Sequence, residues 1–417
     1  MCAIHPTAPA TAATAMERNA PSVVAEELDA YRWVIDPMTP DEFQSRYYEK
    51  AVCHIRRDYP SYFSELLTID QLDRVLTTGL AKYPEISLVQ NEKNIRSQDY
   101  VDADDRVDPV RATRLFRQGA TIIYTHLHDR LPSLGRLCEG LERRFSSRMQ
   151  TNIYLTPPSA QGFAPHWDTH DVFILQVSGT KHWRIYDTKI PLPLRGQHFD
   201  STLHDTGPVN MEFDLLPGDV AYIPRGAIHS AVSSADTSLH ITTGLTAYTW
   251  TDLLLQAVVA AGMNDVSLRE NLPMGWPARL EDPQLAREYT TRVGRLVAHL
   301  STATPPFGVL GESLSEGYGS LSIGLLKRTI LAGELTIGSV VTIRRDAVSA
   351  LALDGEHCSI RCGSKEFEMP ASAMPALRVL EERGRCAIGA LPDSLDDESK
   401  LVLVRRLMAE GIIDHVG

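Results

Sequence analysis

The chain has 417 residues, 43% hydrophobic and 23% charged, a balance typical of soluble globular proteins and too long for one core, so two or three domains are expected. A formal net charge of −12 argues against general affinity for nucleic acid or anionic membranes, and no apolar run is long enough to cross a bilayer. The six cysteines (Cys2, Cys53, Cys138, Cys358, Cys362 and Cys386) lack disulfide-framework spacing, so free thiols and a reducing, cytoplasmic location are expected.

Residues 1–28 are rich in Ala, Pro and Thr, carry no apolar periodicity and are expected to be a disordered tail, with Met16 an alternative start. Pro6 and Pro9 interrupt any signal-peptide core there. Thr39-Pro40-Asp41-Glu42 reads as the cap and first turn of a helix leading into Phe43 to Lys50, and Thr68 with Gln71 reads as a capping box. Ile122-Ile123-Tyr124 is a β-branched run, and beyond Pro132 the residues Leu134, Leu137, Cys138, Leu141 and Phe145 form one helical stripe. The strand Thr151 to Thr156, closed by Pro157 and Pro158, puts Asn152 and Tyr154 on one face.

Pro165-His166-Trp167-Asp168 is read as a strand on which His166 and Asp168 share a face while Trp167 points the other way. The turn Pro217-Gly218-Asp219, the strand Val220 to Ile223 and the bend Pro224-Arg225-Gly226 then deliver His229. If the two stretches pair, two imidazoles and one carboxylate converge, the ligand set of non-haem Fe(II) oxygenases, which leaves positions open. Val172 to Val177 is too continuously apolar for a half-exposed strand and should be buried on both faces. After the turn Ser178-Gly179, alternation groups Lys181 with Trp183 and Ile185, leaving an ammonium among apolar neighbours, a cost that an anionic ligand would relieve. Leu239 to Thr243 completes a double-sheet jelly roll of the cupin type.

These motifs resemble the JmjC branch of the cupin 2-oxoglutarate- and Fe(II)-dependent oxygenases, and most closely the ribosomal oxygenase group of protein side-chain hydroxylases. Tyr48-Glu49-Lys50, the stretch Asn152 to Pro158, Gly162-Phe163, His166-Trp167-Asp168, Asp171 to Gly179, Lys181 to Tyr186, Pro217 to His229 and Ser238 to Thr242 carry the likeness. The resemblance implies His166, Asp168 and His229 as iron ligands and Lys181 as the anchor of the far carboxylate of 2-oxoglutarate, with Asn152, Tyr154 and Thr242 lining the same pocket. It implies Fe(II), 2-oxoglutarate and O₂ as the reacting set and a protein or peptide as substrate. Trp167 stands where many relatives have Tyr and is expected to change one pocket wall; Gly244 aligns with a serine that contacts substrate in several relatives. His170, His182 and His240 are further histidines near the triad, of which His240 best suits a supporting or substrate role.

Asp252 to Val259 and Gln284 to Leu300 have helical spacing, and by resemblance this region dimerises; Gly308 to Gly319 reads as a Gly/Ser-rich linker. From Ile337 the pattern is two strands and two helices, with a hairpin at Arg361 to Lys365 and helices ending at Gly384 and Gly411, which resembles a winged helix. Between Arg344 and Asp414, ten Lys/Arg stand against thirteen Asp/Glu, so direct DNA binding is not expected.

The expected fold is therefore mixed α+β and multidomain: the tail 1–28, a double-stranded β-helix (jelly-roll cupin, JmjC-like) catalytic domain 29–250, a helical dimerisation region 251–325 and a winged-helix-like domain 326–417. The expected function is side-chain hydroxylation in a protein or peptide by a homodimer without membrane association. The alternatives are an N-methyl-lysine demethylase and a non-enzymatic metal-holding cupin.

Overall fold

The computed structural model describes residues 29–78, 82–315, 324–344, 350–362 and 365–416, so the expected tail at 1–28 lies outside the described residues. The chain divides into two compact units between Ala247 and Tyr248.

The first unit opens with two capped helices. Asp29 caps α1 (Ala30–Ile35) and Thr39 caps α2 (Pro40–Arg46). The second helix ends four residues before Lys50, because Tyr47 is buried and Glu49 takes a left-handed φ of 57° that turns the chain toward β1 (Cys53–Ile55). Helix α3 (Ile69–Thr77) begins at the Thr68/Gln71 capping box, followed by β2 (Ile86–Gln90) and β3 (Lys93–Asn94). Next come α4 (Pro109–Arg117), β4 (Thr121–Thr125) and α5 (Pro132–Phe145), whose stripe Leu134, Leu137, Cys138 and Leu141 is buried. The strands β5 (Arg148–Thr156), β6 (Asp171–Ser178), β7 (Lys181–Thr188), β8 (Val209–Leu215), β9 (Val220–Ile223), β10 (Ala227–Ser233) and β11 (Ser238–Thr246) complete the unit.

They form an antiparallel eight-stranded sheet, in the order β1-β9-β6-β11-β5-β4-β2-β3, and a three-stranded sheet β10-β7-β8. Val172, Ile174, Ala221 and Ile223 of the large sheet meet Trp183, Ile185, Phe213 and Leu215 of the small one in an apolar layer. Phe173, Leu175, Val220 and Tyr222 point the other way, into a core shared with Tyr31, Phe43, Leu137 and Leu141. Strand β6 thus contributes to two cores at once, which is why its sequence is continuously apolar rather than alternating.

In the second unit Thr249 and Asp252 form a capping box for α6 (Trp250–Asn264), followed by α7 (Pro283–Leu300). The expected linker at Gly308 to Gly319 is instead helical over its described part: α8 (Phe307–Ser315) lies against α6. The apolar spacing of Phe307, Val309 and Leu310 and this tertiary contact override the helix-weakening effect of Gly308 and Gly311. Helix α9 (Leu325–Ala332) leads to β12 (Val340–Ile343), β13 (Ala350–Asp354), β14 (His357–Cys362) and β15 (Lys365–Pro370). Then follow α10 (Met374–Arg383), ended by Gly384 at φ 73°, β16 (Arg385–Ala387), α11 (Asp397–Ala409) and β17 (Ile413–Val416). The sheets β16-β12-β17 and β13-β14-β15 enclose, with α10 and α11, one core around Ile360, Leu377, Leu380 and Val404. Strands β16 and β17 span three and four residues and β13 is exposed at nearly every position, so none of them carries an alternating apolar pattern. Cys53, Cys138, Cys358, Cys362 and Cys386 are buried free thiols. Among the described residues no helix is long and apolar enough to cross a membrane.

Candidate metal centre

The segment around His166 is not a regular strand, contrary to expectation; Pro165 on one side and the bends before Asp171 on the other reduce it to a single bridge. That bridge decides the site. His229 N donates to His166 O at 2.8 Å and His166 N donates to His229 O at 3.2 Å, and two residues along Gly226 N donates to Asp168 O at 3.0 Å. The two distant stretches therefore run antiparallel with their functional side chains on a common face. One ligand atom from each of His166, Asp168 and His229 falls within 4.8 Å of the others, the only such His/Cys/Asp/Glu group among the described residues.

Each imidazole is oriented by its own backbone. His166 Nδ1 donates to Ala164 O at 2.8 Å and His229 Nδ1 donates to Ala227 O at 3.0 Å. A carbonyl only accepts, so the proton sits on Nδ1 and the Nε2 lone pairs are free for a metal. His229 Nε2 lies 3.7 Å from Asp168 Oδ2. Burial, with His166 alongside, pushes His229 down to about 4. Burial alone would raise Asp168, but His170, His229 and His166 outweigh it and hold its carboxyl below the usual range. With Asp168 ionised and His229 neutral, the set offers a carboxylate beside imidazole nitrogens, which fits a divalent cation with open positions.

The site opens onto a cavity of about 680 Å³, mouth included. The inward row of β5 supplies Asn152 and Tyr154, that of β11 supplies His240 and Thr242, and β7 supplies Lys181 and Trp183. Lys181 is 4% exposed, donates to Thr156 Oγ1 at 3.1 Å, and pairs with no carboxylate among the described residues. Burial lowers it to about 7. His240 stacks on the Tyr154 ring at 4.8 Å, and burial together with Lys181 holds it well below its ordinary value. Around this end Asn152 Oδ1, Trp183 Nε1 and His240 Nδ1 are buried without a hydrogen-bond partner, an arrangement proteins rarely leave unless a ligand or water completes it.

Trp167 does not form a pocket wall. Its indole faces away from the ligands, donates to Gln197 O at 2.9 Å and packs on Phe199 and His204, so it anchors the long connection between β7 and β8. His182 is half-exposed and bonds Asp214 at 2.8 Å, away from the metal ligands. Sequence reasoning missed a relation between two mouth residues. Gly244 lies on the same row as His240 and Thr242, but a Cβ there would come within 2.5 Å of the His170 ring, which occupies the place of its side chain. Gly244→Ala is expected to cost about 1 kcal/mol, since the imidazole can swing into the mouth. The same change in a His170→Ala background should cost almost nothing, as urea denaturation of the four proteins of the cycle would measure.

Residues 126–253 match the JmjC domain family. The chain is 32% identical over 250 residues to the bifunctional lysine-specific demethylase and histidyl-hydroxylase NO66 of Drosophila willistoni, covering 58% of this chain and 32% of that one. It is 31% identical over 297 residues to the NO66 of Dictyostelium discoideum, covering 65% and 56% respectively. The chain thus spans from about a third to just over half of these relatives. Among solved structures, the Escherichia coli ribosomal oxygenase YcfD in complex with cobalt and 2-oxoglutarate aligns over 91% of this chain and 99% of its own, with a TM-score of 0.51 and 18% identity. That likeness reports a shared fold. The ligand set His166, Asp168 and His229 lies inside the stretch 126–253 that matches the JmjC domain family.

Proposed function

We propose that this protein is a 2-oxoglutarate- and Fe(II)-dependent dioxygenase that hydroxylates an amino-acid side chain in a protein or peptide, releasing succinate and CO₂. The observation that carries this reading is one cavity lined both by a two-histidine, one-carboxylate set and by a buried ammonium that pairs with no carboxylate among the described residues. His166, Asp168 and His229 would hold the iron. Lys181 would take the far carboxylate of the co-substrate, which supplies the negative charge the site lacks. Trp183 Nε1 and His240 Nδ1 are unsatisfied groups beside it that can donate to the same ligand. When bound, iron with O₂ supplies the oxidising power that splits 2-oxoglutarate and leaves one oxygen atom in a substrate C–H bond. The chain's own part is to orient the reactants and exclude water, for which Val172, Ile174, Phe163 and Trp183 line the cavity.

The names of the relatives, a histidyl-hydroxylase and a ribosomal oxygenase, favour a ribosomal-protein side chain as substrate. The same relatives carry a demethylase name, and the two readings separate by product. Iron-loaded enzyme given 2-oxoglutarate, O₂ and ribosomal proteins is expected to leave a stable +16 Da mark detectable by mass spectrometry. Formaldehyde release with loss of a methyl group would move the assignment to demethylation, and metal binding without any 2-oxoglutarate turnover would move it to a non-enzymatic cupin.

The second unit supports a homodimer in this reading. Trp250 (74% exposed), Leu254, Leu255 and Met263 (73%) of α6 and Tyr289 (71%) of α7 leave an apolar surface that a second copy would cover. The C-terminal part, read as winged-helix-like, has an acidic balance and is assigned to shaping the dimer or a peptide-binding surface rather than to DNA. A cytoplasmic enzyme is consistent with the free, buried thiols.

A further inference from the structure

We infer that Arg225 is a positioning residue for the metal centre: with Asp171 and Glu49 it locks the two ligand-bearing segments at the spacing that brings His166, Asp168 and His229 together. The inference rests on the metal-site reading above and concerns residues that ligate nothing.

At the ligands themselves the antiparallel pairing has two backbone rungs, His166 with His229 and Asp168 with Gly226. Beyond them the chain diverges, and the next rung is built from side chains. Arg225 N donates to Asp171 Oδ1 at 2.8 Å, and Arg225 Nη1 reaches Asp171 Oδ2 at 3.2 Å, so one carboxylate three residues past Asp168 holds both the backbone and the guanidinium of the residue before Gly226. The other arm of the fork, Nη2, pairs with Glu49 Oε1 at 2.6 Å, and Glu49 N in turn donates to the Tyr222 hydroxyl at 2.9 Å on β9. The turn that delivers His229 is therefore gripped from the ligand segment on one side and from the end of the α2 region on the other.

Burial makes this arrangement more than a surface ion pair. Arg225 is 7% exposed and Asp171 is fully buried. An ion pair at that depth is weak support for stability, because the desolvation of both charges offsets their attraction. What a guanidinium fork supplies instead is fixed direction and distance. Gly226 adds to the constraint: at φ +87° a Cβ would meet Ile190 O at 2.2 Å, so the turn cannot relax toward the loop that covers it. Residues that orient metal ligands in this way commonly change metal affinity by about 10–100-fold when altered.

The test uses full-length, metal-free protein titrated with Co(II), read by calorimetry and by the visible absorption of the bound ion, alongside the melting temperature of the same metal-free samples. Arg225→Lys keeps the charge but loses the fork, and is expected to weaken Co(II) binding by about 10–100-fold and to alter the absorption spectrum. Glu49→Gln, on the more exposed arm, is expected to act in the same direction with a smaller loss, and it decides the matter alone if Arg225→Lys does not fold. A lowered melting temperature with Co(II) affinity within about twofold of wild type and an unchanged spectrum would overturn the inference, leaving Arg225 a stabilising residue only. Failure of the wild-type protein to bind one Co(II) would overturn the metal-site reading itself, and the inference with it.

Discussion

Replacing Asp168 with alanine is expected to abolish 2-oxoglutarate turnover while leaving the fold intact. The carboxylate is the only anionic member of the ligand set, and burial, with His166 beside it, pushes the His229 imidazole toward its neutral form. A bound cation would keep its two nitrogen donors but lose the charge that offsets its own desolvation. The loss of several kcal/mol corresponds to roughly a 10³-fold or larger fall in succinate formation at limiting iron. The backbone bond from Gly226 N to Asp168 O survives the substitution, and so does the bridge between His166 and His229. Circular dichroism and the melting curve of the metal-free variant should therefore stay close to wild type. His166→Ala should behave alike. Wild-type succinate yields in either variant would refute the ligand assignment.

Lys181→Met is expected to do two opposite things, which makes it the sharper test of the co-substrate end. With metal bound, loss of the ammonium should raise the 2-oxoglutarate dissociation constant by about 10²–10³-fold, the range for removing one partner of a buried charge pair. In the ligand-free protein the same substitution should stabilise. The folded-state value of Lys181 is pushed down to about 7 by burial, against about 10.4 for an unfolded lysine. Below pH 7 both states carry the proton and the cost of burying the charge is fully present. Between about 7 and 10 the unfolded state binds the extra proton, so stability rises with pH by up to about 1.4 kcal/mol per unit from this residue. The difference in unfolding free energy between Lys181→Met and wild type should hence be largest at or below pH 7 and shrink by pH 9. A dicarboxylate bound next to the ammonium reverses the sign, and 2-oxoglutarate affinity should weaken as pH climbs above 7. Equal pH profiles for the two proteins, in urea denaturation and in co-substrate titration, would show that Lys181 neither carries the buried charge nor meets the ligand.

The residues that ligand chemistry requires were legible because their signals are local. Alternation along a strand is a property of the backbone, so Lys181 with Trp183, and Asn152 with Tyr154, could be assigned to common faces without knowing any neighbour. Caps and turn glycines work over three or four residues, which is why Thr68 with Gln71 and the helix end at Gly384 appear where the pattern puts them. The turn before His229 is a signal of the same class, whereas the stretch from His166 to Asp168 is held by an isolated bridge and not by the strand that its alternation predicts.

What only the tertiary structure decided are the relations between stretches far apart in the chain. The bridge from His166 to His229, the grip of Glu49 and Asp171 on Arg225, the outward seat of Trp167 against Gln197, and the His170 ring filling the space above Gly244 each depend on which strand lies beside which. The helix over Phe307–Ser315 is of the same kind, since contact with α6 outweighs two glycines that local propensity counts against it. Sequence by itself determined the kinds of group this protein could bring to a reaction, because side-chain chemistry and backbone alternation are properties of a few neighbouring residues. Their distances and partners came from packing, where the burial of apolar faces chooses the neighbours and every polar group left inside must find a partner among them.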